Sequence, residues 1–165
     1  MDFLLTAYLI MTATFFSYVA FIWKRFGILP SISDSYYHLS KNEKPLFTFF
    51  CWGFSLPAAI IGFTLSETSI FQFLMFFVAA GIMFVGASPD FKNGMDKTVH
   101  SISAYVGVIT GHLFIFFTFK ELWFILPSFI IFSLLFLFNK NGKNAIWWIE
   151  IFTFLSISYA FLVNL

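Results

Sequence analysis

The stretch Val99–Phe138, VHSISAYVGVITGHLFIFFTFKELWFILPSFIIFSLLFLF, decides the fold. Apart from the adjacent pair Lys120-Glu121 it contains no Lys, Arg, Asp or Glu. As one helix it would be about 60 Å long at 1.5 Å per residue, twice the hydrocarbon thickness of a bilayer. The charged pair therefore marks a break, and the stretch reads as two spans, Val99–Phe119 and Leu122–Phe138. A transmembrane barrel is excluded, because its strands alternate apolar and polar residues. Runs such as Phe129-Ile130-Ile131-Phe132 do not alternate.

Working outward, four more segments are apolar over spanning length or nearly so: Phe3–Trp23, Leu46–Leu65, Ile70–Ala87 and Ala145–Val163. The third and fifth of the six are short and fit by tilting or by recruiting flanking residues. The composition agrees. The chain has 165 residues, of which 60% are hydrophobic and 10% charged, with 28 Phe. Soluble domains are roughly a quarter charged, and one core of this size could not hide so much apolar surface. A net charge of +1 and a single cysteine exclude a basic nucleic-acid binder and a disulfide scaffold. The expected fold is an all-α bundle of six transmembrane helices forming a single domain over 1–165, with a long connection at 24–45.

The nine basic residues predict the orientation. Lys24, Arg25, Lys41 and Lys44 follow the first span, Lys92 and Lys97 the third, and Lys140 and Lys143 the fifth; only Lys120 falls on the other side. The positive-inside rule then places loops 24–45, 88–98 and 139–144 in the cytoplasm and both termini outside, in a bacterial-type inner membrane. Asp2 and the lack of Lys or Arg before the first span agree, and they argue against a cleaved signal peptide. Trp23, Trp147 and Trp148 fall at the expected cytoplasmic boundary and Trp123 near the outer one. The 24–45 connection contains Pro30, several Ser and the pair Tyr36-Tyr37. It reads as a re-entrant or surface-lying segment.

Helices in lipid associate through close packing of small residues. The fourth span offers Ser103, Gly107 and Gly111 with His100 on the same stripe. The second offers Gly53, Pro57, Ala58 and Gly62, the third Ala79, Ala80, Gly81, Gly86 and Ala87, and the first Ala13 and Ser17. These four spans are expected to form the packed centre. The fifth, nearly all Phe, Leu and Ile, is expected at the periphery, facing lipid or another copy.

Polar groups inside a bilayer are costly, so each is a functional hypothesis. Glu150 lies about 7–8 Å into the last span. It could serve a proton- or ion-linked site or a catalytic acid; the plainer reading is an interhelical hydrogen bond or snorkelling. His100, at similar depth from the same side, is its best-placed partner by sequence. His112 lies about 18 Å beyond His100 along the helix, too far to share a metal. It reads as a neutral histidine bonded to a neighbouring helix. At the cytoplasmic boundary Asp34, Ser35 and His38 of the first loop and Asp90, Asp96 and His100 of the third-loop region could converge. A metal, if one is bound, would use His38 and His100, but no HExxH or CxxC spacing supports one and no cofactor is expected. Asp96 also reads as the N-cap of the fourth span, Ser88-Pro89-Asp90 as a turn, and Asn144 as the N-cap of the sixth after a turn at Asn139–Lys143. There is no G-x-S-x-G elbow for a serine nucleophile, and Cys51 reads as an inert small hydrophobe.

Ile32-Ser33-Asp34-Ser35, following Pro30 after the first of six spans and leading into Leu46-Phe47, resembles the corresponding segment of DRAM-type six-helix membrane proteins. The resemblance covers about 20 residues. It implies an outer-face location for that segment, opposite to the one the charges predict, and it carries no function. The Ser, Asp and three His also suggest the alkaline ceramidase and adiponectin-receptor superfamily. That superfamily needs two histidines one turn apart in its last helix, and the sixth span has none.

Three functions are compatible with these residues. The first is a non-enzymatic channel-like, transporter-like or partner-binding module acting as an oligomer. The second is an enzyme acting on lipid head groups at the cytoplasmic leaflet, with or without a metal. The third is an anchor that docks a cytoplasmic partner through loop 24–45. The expected partners are the bilayer, further copies of the chain or another protein, and not nucleic acid.

Overall fold

Helices dominate because apolar runs in lipid must satisfy their backbone groups internally. A computed structural model describes residues 3–90, 92, 94–138 and 144–165. The order is α1 (Phe3–Phe26), α2 (Ser35–His38), α3 (Pro45–Leu65), α4 (Phe73–Ala87), α5 (Gly94–Thr118), a 3-10 turn at Lys120–Leu122, α6 (Ile125–Phe138) and α7 (Ala145–Asn164). Five segments are long and apolar enough to cross a membrane: α1, α3, α5, the turn with α6 (Lys120–Phe138), and α7. Asp2 and the turn at 139–143, with Lys140 and Lys143, lie outside the described residues.

Two expected boundaries move, for local reasons. The third apolar segment becomes helical only at Phe73 and runs 15 residues, about 22 Å, short of the hydrocarbon thickness. Residues before it wind back on the end of α3: the Ser66 hydroxyl donates to the Gly62 carbonyl, and the Gln72 amide donates to the Phe63 carbonyl. Helix α1 continues past Trp23 and stops where Gly27, at φ +75°, returns its N–H to the Trp23 carbonyl.

Consecutive long helices pack antiparallel in the order α1–α3–α4–α5, and α7 returns to touch α1, α3, α5 and α6. Phe15, Phe54 and Phe154 join α1, α3 and α7 at the centre, with ring separations of 5.2 Å (Phe15–Phe154) and 4.7 Å (Phe54–Phe154). The tightest approach joins α4 and α5. A Cβ at Gly81 would lie 2.7 Å from the Ser103 carbonyl oxygen and 2.8 Å from the Gly107 backbone, so the two helices meet backbone to backbone.

The small-residue expectation holds for α3, α4 and α5 but not for α1. Ala13 and Ser17 are exposed, and α1 packs through Ala7, Met11, Phe15, Tyr18 and Ile22. Aromatic and long side chains three or four residues apart make the inner face there, because α1 meets α3 and α7 through rings. Helix α6 is peripheral as expected, with Ile125 its one buried residue.

Candidate functional site

The polar groups gather at the end of the bundle that holds the α1–α3 connection. That connection does not run freely across the surface. Leu29, Ile32 and Leu39 are buried, and so are Ser33, Asp34 and Ser35. Helix α7 supplies the reason. Its first turn has N–H groups without intrahelical partners, and the Trp147 N–H donates to the Pro30 carbonyl at 3.1 Å. One turn further on, the Glu150 carboxylate accepts the Ile32 N–H and, at 3.3 Å, the Ser33 hydroxyl. On the α1 side, the Tyr18 and Ser35 hydroxyls bond at 2.7 Å, fully buried. Backbone polar groups that burial would otherwise strand thus find partners in the surrounding helices.

Behind this segment lies a cavity of about 50 Å³ between α3, α4, α5 and α7. Its wall includes Ser33, Cys51, Ser103, Gly107, Glu150 and Thr153. The space accommodates a few waters or a small cation, since one water needs about 10–15 Å³ by this measure. Glu150 therefore faces the cavity and binds the inserted segment at once.

A second set of contacts ties the segment to the residues after α4. Asp34 pairs with His38 at 3.2 Å and with the Lys92 ammonium at 3.1 Å. Lys92 also stands over the Tyr37 ring, 3.9 Å from its centroid. The Tyr37 hydroxyl donates to Asp90 at 2.9 Å and accepts the Lys92 N–H at 2.7 Å. Burial, with the Asp90 carboxylate beside it, pushes the Tyr37 hydroxyl up to about 12. Nearer the surface Arg25 pairs with Glu43, whose carboxylate also accepts the Ser40 hydroxyl and N–H. These partners, the Arg25 hydrogen bond first, hold Glu43 down to about 2.

A search of family models, curated proteins and solved structures finds no match for this chain. Its function is therefore read from its own residues.

The expected cluster divides into three. Asp34, Ser35, His38 and Asp90 do come together around the inserted segment, and Glu150 joins them through Ile32 and Ser33. His100 does not pair with Glu150. Its Nδ1 bonds the Ser88 carbonyl at 3.0 Å, at the end of α4, and its ring lies over Phe47. Asp96 stands exposed in the first turn of α5 and is not its N-cap, because α5 begins two residues earlier at Gly94. Asn144 occupies the N-cap of α7 without a side-chain cap bond; the Pro30 carbonyl takes over that role.

His112 also departs from expectation. It bonds its own helix, Nδ1 to the Val108 carbonyl at 2.8 Å, and its ring stacks on Phe129 with centroids 3.6 Å apart. Its Nε2 is buried without a hydrogen-bond partner among the described residues. Among the described residues no three His, Cys, Asp or Glu side chains are grouped to hold a metal ion.

Sequence reasoning missed the groups that make the site work: the Ile32 N–H, the Pro30 carbonyl, Tyr18 and Lys92. Two are backbone atoms, which no side-chain pattern reveals. Lys92 carried a signal, as a cation in a loop that the charge count groups with the one holding the acidic Asp34. Tyr18 sits one helical turn from Phe15 and Ile22 on the inner face of α1 and carried the other.

Proposed function

We propose that this protein is a non-enzymatic, transporter-like membrane module in which residues 30–35 close the cytoplasmic mouth of the central cavity and Glu150 controls that closure. The supporting observation is that one carboxylate, inside a helix of spanning length, both lines the cavity and holds the closing segment by accepting the Ile32 N–H and Ser33 hydroxyl. Both bonds are strongest to an ionised carboxylate. A proton or small cation arriving at Glu150 from the cavity competes for the same oxygens and loosens the segment. The cavity is too small for a larger solute, so the permeating species is a proton or a small monovalent cation.

In this reading the chain crosses the membrane six times, α4 making a short crossing, and loops 24–45, 88–98 and 139–144 face the cytoplasm. The protein sits in a bacterial-type inner membrane and works as an oligomer. Helix α6, which presents Ile131, Leu134, Leu135 and Phe138 outward, forms the face between copies. Crosslinking in native membranes that yields monomer alone contradicts the oligomer.

The test is flux into proteoliposomes loaded with a pH-sensitive or cation-sensitive dye. Wild-type protein is expected to dissipate an imposed proton or potassium gradient, and Glu150→Gln, whose neutral amide holds the Ile32 N–H and Ser33 hydroxyl more weakly, to raise the rate several-fold. Vesicles with wild-type protein that stay as tight as protein-free vesicles overturn the reading.

A lipid head-group enzyme is the second reading, favoured by the Asp34–His38 pair at the bundle end, where a carboxylate orients a half-exposed imidazole. It requires that His38→Ala abolish turnover of a cytoplasmic-leaflet lipid while leaving dye flux unchanged. The docking reading for loop 24–45 has less support, because much of the loop's apolar and Ser content is buried.

A further inference from the structure

The outer surface between α1 and α3 is not flush. A groove of about 380 Å³ opens there, away from the central cavity, within the usual size range of small-molecule sites. Its apex is the close approach of Gly53 to Thr14, where a Cβ on Gly53 would stand 3.0 Å from the Thr14 methyl. From that apex the groove extends toward the end of the bundle that holds the 24–45 connection. Ser17 and Phe21 form one wall, Leu46 and Phe49 the other. Tyr18 and Phe50, stacked at 4.4 Å, form the floor.

Two features of this wedge point to its occupant. The first is charge. Thr14, Ser17 or Tyr18, and Phe21 recur every three to four residues along α1, and the same stripe continues to Lys24 and Arg25 at the open end. The Arg25 guanidinium stands 5.8 Å from the centroid of the Phe21 ring, which lines the wedge. Lys24 is exposed and forms no ion pair among the described residues.

The second feature is the pair of hydroxyls. Thr12, Thr64, Thr110 and Thr153 each donate to the carbonyl four residues back, as hydroxyls in spanning helices do. Thr14 and Ser17, both facing the wedge, make no such bond among the described residues. An apolar slot with a net positive mouth, Lys24 beside the Arg25–Glu43 pair, and spare donors along its wall matches a molecule that is apolar at one end, anionic at the other and ester-linked between.

We propose that the α1–α3 wedge is a binding site for an anionic diacyl phospholipid. One acyl chain lies in the groove, the phosphate rests on Lys24 beside the Arg25–Glu43 pair, and Ser17, about 10 Å along the helix from Lys24, donates to an ester oxygen. The proposal rests on membrane integration of the helices and not on the role of Glu150, although Phe50 lines both the wedge and the central cavity.

The experiment is native mass spectrometry of the protein released from nanodiscs made of equal parts phosphatidylglycerol and phosphatidylcholine. Wild-type protein is expected to carry one phospholipid, with phosphatidylglycerol enriched several-fold. Lys24→Gln is expected to bring the ratio close to one, Ser17→Phe to remove the bound lipid by filling the slot, and Lys120→Gln, an exposed cation in the turn between α5 and α6, to change nothing. Equal retention of the two lipids by wild-type protein overturns the proposal. So does an enrichment that survives Lys24→Gln, or one that falls equally with Lys120→Gln. Lys24→Gln alters an exposed side chain only, so its result is readable even if Ser17→Phe disturbs packing.

Discussion

Glu150 and His112 are both polar residues within spanning helices, yet their surroundings have little in common. Glu150 is bound by donors from a segment more than one hundred residues earlier in the chain and faces a cavity. His112 bonds a carbonyl of its own helix, stacks on a Phe and leaves Nε2 unpaired among apolar neighbours. The first region is held together by long-range polar contacts around a space; the second is closed by direct side-chain packing. An intramembrane polar group thus says most about function when its partners come from elsewhere in the chain.

The sharpest way to break this contrast is to force apart α4 and α5, two of the helices that enclose the cavity. Leu at Gly81 would collide with the backbone of Ser103 and Gly107. Gly81→Leu should cost about 3 kcal/mol, the upper end of overpacking effects, seen as a lowered thermal midpoint in detergent. Gly107→Ala is the control. Its nearest neighbours would lie 3.6 Å from the new Cβ, so it should be neutral or slightly stabilising.

Next in size is Glu150→Ala, which strands the Ile32 N–H and should cost about 1–3 kcal/mol. Tyr18→Phe leaves the buried Ser35 hydroxyl without its partner and should cost about 1 kcal/mol. His112→Phe keeps the ring stack and removes an unpaired nitrogen, so it should stay within about 1 kcal/mol of wild type. A larger loss there, or altered dye flux, would mean that Nε2 meets a ligand and that the two regions are alike.

The smallest effect is the pH dependence of the Arg25–Glu43 link. The folded-state carboxyl lies at about 2, below the ordinary value of 4.5. Its contribution is therefore complete above about pH 4.5 and is lost as pH falls toward 2. Melting curves across that range should show wild type losing slightly more stability than Glu43→Gln.

Much of the fold was legible because it follows from solvent and length alone. Lys120-Glu121 located a break, the Phe-rich segment Leu122–Phe138 announced a peripheral helix, and Gly81, Gly107 and Gly111 marked close contacts. The packing face of α1 was less legible. Ala13 and Ser17 look like an interface by size, but neighbouring rings select Met11, Phe15 and Tyr18 instead. The candidate site was legible in membership and not in wiring. Glu150, Asp34 and His38 stand out by composition, whereas the pairing of Glu150 with Ile32 and Ser33, rather than with His100, depends on a backbone path through the bundle that no side-chain spacing encodes.

The claim that Glu150 holds the closing segment is tested most directly by amide hydrogen exchange over residues 27–39 in nanodiscs. The account predicts slow exchange at this segment in wild-type protein and at least tenfold faster exchange in Glu150→Ala, with α4 and α5 unchanged. Fast exchange of the segment in wild-type protein, or equal rates in the two proteins, would contradict it.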